Sequence, residues 1–144
     1  MTPDVNVLVA ASRSDHPHHR TALSWLEASL DACARGTRLR LLPMVTAGFL
    51  RLVTHPRVFL EPTPLEAAQE FLGAVLAADG VELLPLGSEW PLLDPLCRRH
   101  QLVGNTISDA WIAAAVLARQ ECLATFDRDF LRLLPPRRLL LLET

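Results

Sequence analysis

Short apolar runs alternate with amphipathic helical stretches along the whole chain, and this alternation constrains the fold more than any other feature. VNVLVAA (residues 5–11) is continuous, apolar and rich in β-branched side chains, and predicts a strand buried on both faces. LRLLP, VELLPL, CLATF and RLLLLE are further candidate strands. Between them stand helical patterns: DHPHHRTALSWLEASLDACARG, MVTAGFLRLVTH, TPLEAAQEFLGAVLAADG, SEWPLLDPLCRRHQL, NTISDAWIAAAVLARQ and the short DRDFLRLL. Strands linked by helices pair in parallel through right-handed crossovers. The expectation is an α/β fold with a mostly parallel central sheet and helices on both faces. Ligands in such sheets sit beyond the carboxyl ends of the strands.

At 144 residues, half of them hydrophobic, the chain is expected to form one globular domain over 1–144. No apolar run is long enough to span a bilayer, and no basic-then-apolar leader opens the sequence. Cys33, Cys97 and Cys122 are odd in number and widely spaced, which predicts reduced thiols and a cytoplasmic protein. A net charge of −2 argues against broad electrostatic binding to DNA. All 14 basic residues are arginine, whose planar fork suits phosphate; the richness in Ala, Leu, Pro and Arg also fits a GC-rich genome.

Near the end, the apolar run Cys122–Phe126 stops at two acids, Asp127 and Asp129. Asp127 reads either as the N-cap of the short helix after it or as a metal-binding acid at the end of a strand. Asp4 opens the predicted first strand, and Asn6 would share its face. It is either an exposed terminal residue or a carboxylate that needs a partner. Asp109 falls at the third helical position if Thr106 is the N-cap, where a carboxylate favours the helix dipole. Taken together, Asp4, Asp109 and Asp127 each mark a junction of elements, and parallel strands can bring such junctions to one rim. Converged carboxylates repel unless a cation neutralises them, and Mg²⁺ or Mn²⁺ has the hard, oxygen-seeking chemistry to do so.

Other signals are weaker. Asp15, His16, His18 and His19 suggest metal ligands, but a helix start capped by Asp15 explains them better. Thr63, Pro64 and Glu66 read as a capping box. Trp25, Trp90 and Trp111 are expected to pack rather than stack on bases. Arg51 and Arg57 are candidates for contact with RNA phosphate.

TPDVNVLVAA, PMVTAGFLRLVTHPRVF, ISDAWIAAAVLA and LATFDRDF, in this order, resemble the PIN-domain fold, and more narrowly the VapC-type toxins of toxin–antitoxin pairs. The resemblance covers essentially the whole chain. It implies a three-layer α/β/α fold and a magnesium- or manganese-dependent endoribonuclease that cuts structured RNA. It also implies a homodimer and a VapB-type antitoxin partner. Asp4, Asp109 and Asp127 match the family's metal-binding acids, Asp129 an accessory acid, and Asn6 and Thr125 polar positions that orient the first and last of these. One position departs. Gly48 in GFLRL stands where the family usually has glutamate, leaving the site one carboxylate short, and a glycine inside a helix has a local cost with no packing return visible in the sequence. The alternative reading is therefore a PIN module that binds RNA or antitoxin with weak or no nuclease activity. A metal-dependent DNA nuclease is a third.

Overall fold

The computed structural model describes residues 1–143. Strands β1 (Thr2–Pro3), β4 (Leu123–Thr125) and β5 (Leu139–Leu141) form a parallel sheet with β4 in the middle. Strands β2 (Leu39–Leu41) and β3 (Val81–Leu83) form a second parallel pair. The Arg40 backbone N–H donates to the Met1 carbonyl at 3.0 Å and joins β2 to β1. Every pairing is parallel, as the alternation of strands and helices predicts. The helices are α1 (Val5–Ser12), α2 (His19–Ala34), α3 (Pro43–Val53), α4 (Leu65–Ala77), α5 (Trp90–His100) and α6 (Asn105–Ala118). A 3₁₀ turn spans Arg128–Arg132. No helix among the described residues is long and apolar enough to cross a membrane.

The first element differs from the sequence expectation. VNVLVAA is not a strand but most of α1, and β1 is confined to the two residues before Asp4. A uniformly apolar run has no period by which helix and strand can be told apart. Val7, Leu8, Val9, Ala10 and Ala11 are all buried because α1 packs against α2, α3 and β4 at once. Asn6 therefore does not share a strand face with Asp4; it stands in the first turn of α1.

Three expected caps also differ. Thr63 does not cap α4: its hydroxyl accepts from Arg13 Nη1 at 3.0 Å, Pro64 takes the N-cap position and no side chain caps the helix. Thr106 does not cap α6 either. Gly104 is the N-cap at φ 60°, which a glycine adopts without strain, and the Thr106 hydroxyl is bonded to the Val103 backbone. Asp15 does not cap α2. It accepts two hydrogen bonds from Arg13, Nε to Oδ1 at 3.1 Å and Nη2 to Oδ2 at 2.8 Å.

Arg13 ties these pieces together. Only 8% exposed, its guanidinium holds Asp15, the Thr63 hydroxyl and the Glu61 carbonyl, and lies 3.8 Å from the centre of the Phe59 ring. The end of α1 is thereby fastened to the connection between α3 and α4.

Candidate active site

Two parallel neighbours, β1 and β4, end side by side. Their register places Pro3 opposite Ala124, so Asp4, just past β1, comes beside Thr125, the last residue of β4. The Asp4 N–H still bonds the Ala124 carbonyl at 2.8 Å. Asp4 is the N-cap of α1, its Oδ1 accepting from the Val5 N–H at 2.7 Å, and its Oδ2 accepts the Thr125 hydroxyl at 2.6 Å. At 6% exposed it is not the surface residue that the plainer reading allowed. Burial pushes its pKa up; the Thr125 and Val5 hydrogen bonds oppose this, and the Asp127 charge adds to it.

Thr125 is the hub. Its oxygen also accepts from Asn6 Nδ2 at 3.2 Å and from the Asp127 N–H at 3.0 Å. Asn6 Oδ1 takes the Phe126 N–H at 3.3 Å. Asp127 caps the 3₁₀ turn, Oδ1 accepting from the Asp129 N–H at 2.8 Å. The capping reading of Asp127 thus holds, and the residue also lines the cavity described next.

That cavity, of about 710 Å³, is a trough between two helix faces. α3 contributes Met44, Ala47, Gly48 and Arg51; α6 contributes Asn105, Ser108, Asp109, Trp111 and Ile112. Asp4, Asn6 and Asp127 close one end, so Asp4, Asp109 and Asp127 open onto one space. Asp129 is not part of the lining and Arg57 is exposed elsewhere; Arg51 lies on the wall. Trp111, expected from the sequence to pack, lines the cavity. It is 41% exposed and Trp90 is 67% exposed, so the packing role expected of the tryptophans holds for Trp25 alone.

With Gly104 as the cap, Asp109 falls in the second turn of α6, and the capping role proposed for it is gone. Its pKa is raised to about 6, first by burial and then by the charges of Asp127, Asp4 and Asp129, with Arg132 opposing. An acid that holds its proton more tightly folded than unfolded favours the fold at low pH. That advantage is complete below the usual value of 3.8 and is lost as pH rises through about 6. Asp109→Asn should therefore stabilise the metal-free protein at pH 7.5 by about 1 kcal/mol, allowing for solvent screening of a partly exposed group. The gain should disappear by pH 4. Thermal unfolding across this range in chelator checks the prediction, and equal stability of parent and variant at pH 7.5 would contradict it.

The donors fit a hard divalent cation in kind: three carboxylates on one space, mutually repelling in its absence. Among the described residues no three His, Cys, Asp or Glu side chains are drawn together as a complete metal-binding set. Both oxygens of Asp4 are already engaged. Mg²⁺ tolerates this, because it binds through one or two carboxylates and keeps its waters.

Gly48 does have a packing role, contrary to the sequence expectation. A Cβ there would stand 3.0 Å from Val5 Cγ2, so the glycine lets α3 approach the start of α1. Gly48→Glu should consequently destabilise the metal-free protein by about 1–3 kcal/mol through overpacking. The added carboxylate should tighten Mn²⁺ binding roughly tenfold. Val5→Ala in the same chain should restore part of the lost stability. Calorimetric titration and unfolding with and without Mn²⁺ test both halves, and equal metal affinity of parent and variant would mean that a side chain at 48 points away from the acids.

Three comparisons with known proteins bear on this site. The model of the PIN domain family matches residues 1–133. Ribonuclease VapC31 of Mycobacterium tuberculosis (strain CDC 1551 / Oshkosh) is 38% identical over 130 residues, which cover 90% of this chain and 89% of that one. Ribonuclease VapC43 of the same strain is 37% identical over 130 residues, 90% of this chain and 86% of that one. Among solved structures, a chain of the VapBC2 complex from Rickettsia felis, bound to a DNA fragment from its promoter, superposes with a TM-score of 0.67. It is 20% identical and the match covers 99% of this chain and 98% of that one, a likeness of fold. On the extent of the family match and the identity of these relatives, the chain belongs to the PIN domain family.

Proposed function

We propose that this protein is an endoribonuclease dependent on Mg²⁺ or Mn²⁺. In this reading it is the toxin half of a type II, VapBC-type toxin–antitoxin pair, acting in the cytoplasm on structured RNA. A VapB-type antitoxin would inhibit it, and it would work as a homodimer. The observation that carries the reading is the opening of Asp4, Asp109 and Asp127 onto one cavity beside the ends of β1 and β4. The relatives named as VapC ribonucleases support it.

Asp4, Asp109 and Asp127 would hold the ion. When bound, it would supply charge stabilisation and lower the pKa of a bound water. The chain's own groups prepare the site. Thr125 and the Val5 N–H fix the Asp4 carboxylate, Asn6 holds Thr125, and the Asp129 N–H leaves one Asp127 oxygen free to face the cavity. Asp109, raised to about 6, is the acid whose charge gains most from a cation. Arg51 on the wall would meet substrate phosphate.

A labelled RNA hairpin, incubated with Mg²⁺ or Mn²⁺ and with a DNA hairpin of the same sequence as competitor, tests this. Cleavage of the RNA alone, stopped by chelator, is expected. Cleavage that survives chelation would overturn the metal dependence, and preferential cutting of the DNA would overturn the substrate. Gly48 supplies no carboxylate where the family resemblance expects one, which favours a second reading: a PIN module that grips RNA or antitoxin but cuts poorly. Hairpin binding without cleavage would establish that one.

A further inference from the structure

We infer that the trough between α3 and α6 receives one unpaired nucleotide, its base laid on the indole of Trp111. The inference rests on the ribonuclease reading and specifies which part of an RNA the site takes. Trp111 lines the cavity on the same helix as Asp109, two residues further on, yet is 41% exposed. Trp25, by contrast, packs partly buried against the core. An indole open to a cavity next to carboxylates offers a flat apolar surface at the reaction centre. Base–aromatic stacking is the main way proteins hold unpaired nucleotides, and it tolerates any base because each has a π face.

The other wall fits such an occupant. Ala47 of α3 is small and leaves width, while Met44 is flexible and polarizable. Asn105 and Ser108 put an amide and a hydroxyl on the α6 face, within the same cavity, as partners for a base edge. Arg51 on the α3 wall offers a cation for the backbone phosphate. The volume of about 710 Å³ lies within the range of small-ligand pockets, roughly 300–1,000 Å³. A paired duplex keeps its base faces stacked inside and has none to offer the indole. A cationic peptide side chain would also be drawn to the acids, but it would meet Arg51 and leave Asn105 and Ser108 unused. The cavity chemistry therefore favours the nucleotide.

Equilibrium binding in chelator, so that nothing is cut, tests the idea with two RNA probes: a hairpin with a five-nucleotide unpaired loop, and a blunt duplex of the same stem. Trp111→Ala should bind the looped hairpin about tenfold or more weakly than the parent, the loss of one stacked base. Trp111→Phe should keep most of the affinity, and neither variant should bind the duplex differently from the parent. The looped hairpin should quench the parent's tryptophan emission, and Trp111→Phe, with Trp25 and Trp90 intact, should abolish most of the quenching. Unchanged hairpin affinity in Trp111→Ala overturns the inference. So does a loss confined to a basic peptide probe, which would assign the trough to a protein partner. Those outcomes leave the ribonuclease reading intact as long as the parent cuts the hairpin with metal present. A parent that neither binds nor cuts it sinks that reading and this inference together.

Discussion

Asp127→Asn is expected to lower metal-dependent RNA cleavage by roughly a hundredfold or more while leaving the fold in place. The amide oxygen of asparagine can still accept the Asp129 N–H, so the cap of the 3₁₀ turn survives and only the charge is lost. Asp4→Asn should abolish cleavage too, but at a cost to the fold that Asp127→Asn avoids. Both Asp4 oxygens accept hydrogen bonds, one from the Val5 N–H and one from the Thr125 hydroxyl. An asparagine must turn its NH₂ toward one of these donors. Thr125 cannot easily reverse its hydroxyl, because its oxygen already accepts from Asn6 and from the Asp127 N–H. A buried donor is left unmatched, at about 1–3 kcal/mol, partly offset by removing a buried charge. Initial cleavage rates on a hairpin RNA, with unfolding temperatures for both variants, check this. Parent-like cleavage by Asp127→Asn, still stopped by chelator, would show that another group holds the ion.

The second large effect is on stability and lies away from the acids. Arg13→Ala should lower stability by about 2–3 kcal/mol, because the Glu61 carbonyl and the Thr63 hydroxyl lose their donor together and the Phe59 face loses its cover. For a chain of this size that is a fall of roughly 6–10 °C in Tm. Asp15→Ala should do far less, because Asp15 is 65% exposed and water replaces it as a partner. Arg13→Lys should recover only a minority of the loss, since one ammonium cannot span the same fork of acceptors. Calorimetry of the three variants separates a clamp from a surface ion pair: equal losses for Arg13→Ala and Asp15→Ala would reduce the feature to the latter.

How far the sequence could be read depended on the distance over which each feature is decided. The parallel order of elements follows from their alternation, and it survives the misreading of VNVLVAA. Asp4, read as opening a strand, instead follows the two-residue β1 and caps α1, so it does stand at a junction but between different elements. Asp127 was legible as a cap at the end of a strand because both features are local. The capping assignments at Thr63, Thr106 and Asp15 failed for a common reason. Each hydroxyl or carboxylate is engaged by another partner instead: Thr63 by the distant Arg13, Asp15 by Arg13 two residues before it, and Thr106 by the Val103 backbone three before it. Gly48 looked like a missing acid with no compensation because Val5, the side chain it accommodates, lies on another helix. Trp111 was read as a packing residue because a tryptophan on an apolar helix face has the same pattern in a core and in a cavity wall.

The bond between Asp4 and Thr125 joins residues 121 positions apart. Closing so long a loop is among the later and costlier events of folding. Asp127 is added to the chain 123 residues after Asp4, so throughout that stretch of synthesis Asp4 has neither Thr125 nor Asp127 to set it against. A chain stopped before Thr125 would lack both the hydroxyl that fixes Asp4 and the carboxylate of Asp127, so the rim needs both ends of that span. Assembly of the acidic rim is thereby tied to folding across the whole of that span, and no shorter stretch of the chain can present it.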